Sequence, residues 1–208
     1  MQELFSESLY GVVNNSEKAC APIFARIDET AMHVQARVLQ AFTQNHVAAM
    51  HMQPSSGYGY DDAARDKLDR VFADALQCED AIVRPQIASG THALAIMLFG
   101  IAKPGDTILF AAGEPYDTIH SVIGMGDRVL PNSLAALGIQ HCITPLKNGI
   151  PDFEQLKNDI VYNKPAIVYI QRSRGYAWRD ALNLAQIKRI ATIAHEIAPE
   201  IIVAVDNC

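Results

Sequence analysis

The sequence predicts an α/β protein with three layers: a mainly parallel sheet covered by helices on both faces. Three observations predict it. From residue 81 onward, short apolar runs alternate with segments of helical length. Several of these runs, such as 166–171 and 201–205, are apolar at consecutive positions, which is the pattern of strands buried on both faces. The polar residues with useful chemistry follow the runs: Ser89 to His92, Tyr116, Gln171 to Arg174 and Asp206. In parallel sheets that is where ligands bind, outside the C-terminal strand ends.

Taken in order, Pro22 to Phe42 has helical spacing, with Phe24, Ile27, Ala31, Val34, Val38 and Phe42 on one stripe and Pro22 in the first turn. The segment through QPSSGYGY is a loop. Its tyrosines, Tyr58 and Tyr60, have two readings: binding residues, or rings that anchor the loop. Asp61 or Asp62 caps a helix over Ala63 to Leu76. Residues 1–60 thus form an N-terminal helical segment and loop, and 61–208 the main domain.

Within the main domain, Ala81 to Ile87 reads as a strand, Ala88 to His92 as a tight turn, and Ala93 to Gly100 as a buried helix. After the KPGD turn come a strand at Thr107 to Ala111, a helix at Thr118 to Ile123 and a strand at Ile139 to Thr144. Gly124 to Ser133 reads as a flexible surface loop. Asp152 caps a helix through Ile160, Ala166 to Gln171 is a strand, Arg172 to Arg179 a loop, Asn183 to Ile197 an amphipathic helix, and Ile201 to Val205 the last strand.

Composition excludes several classes. The chain has 208 residues, half of them hydrophobic and 19% charged, enough for one large domain with a small appendage. The formal net charge is -6 with no basic block, so neither nucleic acid nor an anionic membrane is the expected partner. No apolar run approaches the ~20 residues of a membrane span. The N-terminus MQELFSESLYGVVNN is acidic and mixed, unlike a signal peptide, and a cytoplasmic protein is expected. Cys20, Cys78, Cys142 and Cys208 lack paired spacing, which disfavours zinc and disulfides and suits free thiols in a reducing compartment. The phosphate-binding lysine loop, the G-x-G-x-x-G fingerprint after a strand and the G-x-S-x-G elbow are all missing. His92 has no second His or Cys at ligand spacing, and no metal is expected.

Two constellations carry chemistry. Ser89, Gly90 and Thr91 put two hydroxyls, backbone N–H groups and a small residue at a helix N-terminus. That suits a phosphate, with Gly90 permitting close approach and a positive φ; an ordinary N-cap is the plainer reading. Asp206 ends an apolar strand, so its carboxylate needs a cation or strong donors. A protonated pyridine ring or Mg²⁺ satisfies that need, and so does a role as a cap or loop aspartate.

EDAIVRPQIASGTHALAIMLFG, the KPGD turn, GEPYDT, YIQRSRGYAWR and the closing VDNC together resemble the aluminium-resistance, methionine gamma-lyase-like family. These are fold-type-I enzymes that use pyridoxal 5'-phosphate. The resemblance implies that 61–208 is part of a cofactor-binding large domain. It places Ser89, Gly90 and Thr91 on the cofactor phosphate, Tyr116 on the pyridine ring and Asp206 on the ring nitrogen. Tyr58 or Tyr60 corresponds to a tyrosine that reaches a neighbouring subunit's phosphate, so a homodimer or homotetramer is implied. Arg65 is a looser candidate for that phosphate. The implied activity is a carbon–sulfur lyase on a small-molecule amino acid, with an aldolase, an aminotransferase or a non-catalytic binding module as alternatives. The family's cofactor-linking lysine lies beyond the VDN strand. Lys18, Lys67, Lys103, Lys147, Lys157, Lys164 and Lys188 all precede it, so the 208-residue chain alone is expected to have little or no lyase activity.

Overall fold

The computed structural model describes residues 6–58, 62–126 and 129–207. The chain divides into two compact units, Met1–Gln86 and Ile87–Cys208. The division falls at Gln86 rather than near residue 60, because the helix at Ala63–Leu76 packs on the N-terminal helix.

In the first unit, helix α1 spans Glu7–Gln44, well beyond the expected Pro22 to Phe42. The Ser6 hydroxyl accepts a hydrogen bond from Leu9 N and starts it. Pro22 lies inside the helix rather than in its first turn; it removes one internal hydrogen bond, and the turns on either side carry the helix past it. Ala41 is the only buried residue described in α1. Helix α2, Ala63–Leu76, has the expected bounds. Asp62 sits at its N-cap, yet its carboxylate takes Arg65 Nε at 2.9 Å instead of a backbone amide. The following segment is not a strand. Ala81 to Ala88 is irregular, and Ile82 is 73% exposed. Asp69 organises it, accepting from Val83 N at 2.8 Å and Arg84 Nη1 at 2.6 Å. These bonds hold the backbone where Pro85 already disfavours a ladder.

The second unit is the α/β body. Helix α3 (Gly90–Ile101) precedes strand β1 (Thr107–Phe110), helix α4 (Asp117–Ile123) and strand β2 (Gln140–Ile143). A two-stranded hairpin follows, β3 (Leu146–Lys147) and β4 (Ile150–Pro151). Then come α5 (Phe153–Asn163), β5 (Ile167–Gln171), α6 (Leu184–Ile197) and β6 (Ile202–Asp206). The four-stranded sheet has the order β2-β1-β5-β6, and its pairings are parallel. Alternating side chains divide the core into two layers. Leu109, Val168 and Ile170 pack with Leu156 and Ile160 of α5 and Ile190 and Ile193 of α6. Ile108, Phe110, Ile167 and Tyr169 pack with Leu98 of α3, Ile119 and Ile123 of α4, and Leu134. The predicted three-layer arrangement is therefore present.

Caps locate the helices. Asp152 Oδ1 accepts from Glu154 N and Gln155 N at the start of α5. Asn183 and Gln186 form a reciprocal capping box on α6. The β3–β4 hairpin turns on Asn148 and Gly149, both with positive φ, which is the Asn-Gly signal of a two-residue hairpin. The stretch from Gly124 to Ser133, expected as a loose surface loop, is tied in at both ends. Gly124 caps α4 at φ 89, where a Cβ would come within 2.6 Å of Ser133 Oγ, and Ser133 and Leu134 are buried. Asp127 and Arg128 lie outside the described residues. No helix among the described residues is long and apolar enough to cross a membrane.

Two predictions follow from this packing. Leu156 is fully buried in α5, so Leu156→Ala lowers unfolding free energy by about 2–5 kcal/mol in denaturant titrations. Val161→Ala on the exposed side of the same helix stays within about 0.5 kcal/mol. The second concerns pH. The hydrogen bond from Arg84 holds Asp69 below its ordinary carboxylate value, against the opposing effect of burial. A depressed carboxylate adds stability above its unfolded value of about 4, and that stability is lost as pH falls through the folded value. Melting temperature should therefore fall less steeply below about pH 4 in Asp69→Asn than in the wild type.

Candidate active site

The sheet order creates a topological switch. From β1 the chain passes through α4 to β2 on one side, then through α5 to β5 on the other. A crevice therefore opens outside the C-terminal ends of β1 and β5. Two segments meet there, one after β1 carrying Tyr116 and one after β5 starting at Gln171. The Tyr116 N–H donates to Gln171 Oε1 at 2.6 Å and ties them together. A cleft of about 260 Å³ lies beside this bond, lined by Glu114, Pro115, Tyr116, Asp117, His120, Gln171, Arg174, Tyr176 and Ala177. His120 Nε2 lies 2.9 Å from Pro115 O and steadies the segment before Tyr116. A larger groove of about 770 Å³ runs along α1 past Ile23, Ile27 and Val34. It is the open surface of one helix and gathers no reactive groups, so the smaller cleft is the better candidate.

Asp206 ends β6 directly opposite Gln171 of β5. Its carbonyl accepts from Arg172 N at 2.9 Å, and Arg172 Nη1 donates to Asn207 Oδ1 at 2.8 Å. The Tyr169 hydroxyl donates to Asp206 Oδ2 at 3.5 Å. Burial, and then the negative charge of Asp206, push the Tyr169 pKa far up, so the phenol remains a donor. The carboxylate is thus oriented from within the core.

The turn before α3 serves first as a cap. Ser89 Oγ accepts from His92 N at 3.1 Å, and Ser89 O accepts from Ala93 N. His92 Nδ1 takes the Ala88 N–H at 3.3 Å, so His92 folds the turn. The helix itself supplies no acceptor for the N–H groups of Gly90 and Thr91. Thr91 Oγ1 lies 3.2 Å from Thr118 Oγ1 in α4, two residues past Tyr116. That contact ties the turn to the Tyr116 segment. Gly90 corrects the sequence expectation. It is not among the positive-φ glycines, so the backbone does not require glycine there. A Cβ at Gly90 would meet nothing within 4 Å, so the space beside the turn is open.

The second unit thus links Ser89, Gly90 and Thr91 to Tyr116, Tyr116 to Gln171, and Gln171 to Asp206. Tyr58 belongs to the first unit, on a loop, 82% exposed. Tyr60 lies outside the described residues. Arg65 is engaged in its own unit with Asp62 and the Gly57 carbonyl. Pattern and resemblance assign no role to Thr118, Tyr169, Gly175, Tyr176 or Arg179. Their positions depend on tertiary contacts, and only the position of Gln171 at a strand end was a readable signal. Among the described residues no group of three or more His, Cys, Asp and Glu is placed to hold a metal ion. Burial, and then Asp159, raise the Cys142 pKa to about 11, which leaves that thiol unreactive.

A family model described as methionine gamma-lyase matches residues 9–208. The uncharacterised protein YnbB of Bacillus subtilis strain 168 is 39% identical over 193 residues, covering 92% of this chain and 46% of YnbB. A Listeria monocytogenes structure, provisionally named a cystathionine beta-lyase involved in aluminium resistance, is 40% identical with a TM-score of 0.91, covering 96% of this chain and 50% of its own. A Clostridium novyi NT structure named carbon-sulfur lyase involved in aluminium resistance is 36% identical with a TM-score of 0.91, covering 98% and 48%. The chain spans about half the length of the relatives it matches.

The cap geometry makes a prediction that needs no ligand. Ser89→Ala removes the acceptor for His92 N and should cost about 0.5–2 kcal/mol of stability in denaturant titrations.

Proposed function

The chain belongs to the methionine gamma-lyase family, and on that premise we propose that it forms the cofactor-binding portion of a pyridoxal 5'-phosphate-dependent carbon–sulfur lyase. The substrate class is a sulfur-containing amino acid, in the manner of a cystathionine beta-lyase or a methionine gamma-lyase. One observation carries the reading. An anion cradle, an aromatic ring and a strand-end carboxylate are linked around one switch point, through Thr91 to Thr118, Tyr116 to Gln171, and Gln171 to Asp206.

The residues fit the group on chemical grounds. The Gly90 and Thr91 amides and the Ser89 and Thr91 hydroxyls suit a phosphate at the positive end of α3. The cofactor, when bound, supplies a protonated ring that takes up negative charge from the substrate Cα. Asp206 holds the proton on the ring nitrogen, because a carboxylate accepting that bond favours the charged ring. Tyr169 fixes the carboxylate through its hydroxyl. Tyr116 gives the pyridine ring an aromatic face.

The reading extends to assembly and place: a homodimer or homotetramer in the cytoplasm, with Tyr58 or Tyr60 reaching a neighbouring subunit's phosphate. Helix α1 supports it by exposing Ile23, Phe24, Ile27, Met32 and Val34. Among the described residues, Lys103, Lys147, Lys157, Lys164 and Lys188 of the second unit do not line the cleft. Turnover near ~1 s⁻¹ by the 208-residue chain alone would therefore contradict the proposal.

The test is calorimetric binding of pyridoxal 5'-phosphate and of inorganic phosphate. Gly90→Val leaves the backbone unstrained and puts an isopropyl group into the open space beside the proposed phosphate site, so it should weaken binding of both. Asp206→Asn should weaken the cofactor and spare inorganic phosphate. Full phosphate binding by folded Gly90→Val would reduce the turn to a helix cap.

A further inference from the structure

Arg179 is a buried cation, 6% exposed, in a loop that otherwise reads as surface. Among the described residues it forms no ion pair. Burial pushes its pKa down, and its hydrogen-bond partners are carbonyl oxygens. Nη2 donates to Gln171 O at 3.1 Å and closely to Ser173 O, and Nη1 donates to Asp180 O at 3.2 Å. A desolvated guanidinium held by carbonyls is costly, and it persists where its planar fork fixes several backbone atoms at once.

The Ser173 carbonyl is the junction. It also accepts from Gln171 Nε2 at 3.0 Å. That bond sets the side-chain amide of Gln171, which is 5% exposed, so that Oε1 faces the Tyr116 N–H. Two residues farther along, the same loop reaches the Tyr116 ring. Gly175 has φ +58, and a Cβ there would lie 2.7 Å from Tyr116 Cδ2. The next ring, Tyr176, sits 5.5 Å from Tyr116 between centroids, tilted by 31°. Tyr116 is therefore gripped at its backbone by Gln171 and at its ring by Gly175 and Tyr176, on a loop whose curvature Arg179 sets.

We propose that Arg179 is a positioning residue for Tyr116, acting through the Ser173 carbonyl and the Gln171 amide to fix the aromatic face of the site. The value of that placement to catalysis rests on the cofactor reading above; the placement itself does not. Lysine cannot replace the fork, because a single ammonium does not reproduce the two guanidinium nitrogens that reach the three carbonyls.

The experiment measures amide hydrogen exchange at Tyr116 in the chain without added ligand. Arg179→Gln should lose about tenfold or more of the protection at Tyr116, while Val168 and Ile190 keep theirs. Arg179→Lys should restore only part of it. Unchanged Tyr116 protection in folded Arg179→Gln overturns the proposal. Should Arg179→Gln fail to fold, Arg179→Lys decides, because it keeps the charge and loses the fork, and wild-type Tyr116 protection in that variant overturns the proposal; Gly175→Ala separately tests the ring contact. It pushes on the Tyr116 ring without touching Arg179, and unchanged exchange at Tyr116 together with an unchanged near-ultraviolet tyrosine signal overturns the grip. Calorimetry on the same variants separates the two readings. A wild type that binds no pyridoxal 5'-phosphate refutes the cofactor assignment and leaves the exchange result to decide the positioning role. If the wild type binds, Arg179→Gln should weaken the cofactor about tenfold and leave inorganic phosphate binding unchanged.

Discussion

Burial of β5 on both faces is the constraint from which the site follows. All five of its residues are buried, and it is paired on one side by β1 and on the other by β6. A central parallel strand of this kind has no solvated face on which to carry polar groups. Chemistry is therefore displaced to its C-terminal end, where the Tyr169 hydroxyl reaches Asp206 and the Gln171 amide makes its polar bonds. Gln171 meets the β1 side through Tyr116 N, and Asp206 lies opposite it in register on β6. The switch in strand order leaves room above these ends, and the two helices that share one face supply the α3 turn and the start of α4.

Residues around Asp206 show how the core serves the site. Tyr169 contributes its ring to the layer with Phe110, at 5.2 Å between centroids and in an edge orientation. Its hydroxyl reaches out of that layer to Asp206. A phenol beside a carboxylate in a desolvated place is driven to stay protonated, so it is a dependable donor. A single side chain thus fills the core and aims a functional group without needing a separate element.

The strands were legible from their apolar runs, AIVYI and IIVAV, but of the two only β5 is buried on both faces as expected; β6 is an edge strand of the described sheet, with Ile202 and Val205 exposed. The capped helices were legible too, since Asp152 and Asn183 stand where their bonds are made. The apolar letters of Ala81 to Ile87 misled because nothing in a single sequence shows that Asp69, fourteen residues earlier than Val83, takes the backbone amide a ladder would need. Asn148-Gly149 was a readable hairpin signal that the strands' brevity concealed. Of the site, the residues recognisable from pattern or resemblance were those at strand and helix ends. Arg179 was beyond reach, because arginine in QRSRGYAWR looks like any surface cation until the loop folds around it.

The two readings of Ser89 to Thr91, cap and anion cradle, are not rivals. A helix presents its first N–H groups in sequence, and each needs its own acceptor. Ser89 Oγ satisfies His92 N, the third helical residue, and its carbonyl satisfies Ala93 N. The cap therefore consumes the inner amides and leaves the outer two, at Gly90 and Thr91, pointing past the helix end. A Cβ at position 90 would meet only open space. The backbone there would accept any residue, since its φ is not positive. Neither backbone strain nor a close neighbour requires glycine at this position. The cap also steadies the turn: with Ser89 and His92 committed to the fold, the outer amides keep their direction, which lowers the ordering cost that the proposed anion site would otherwise carry.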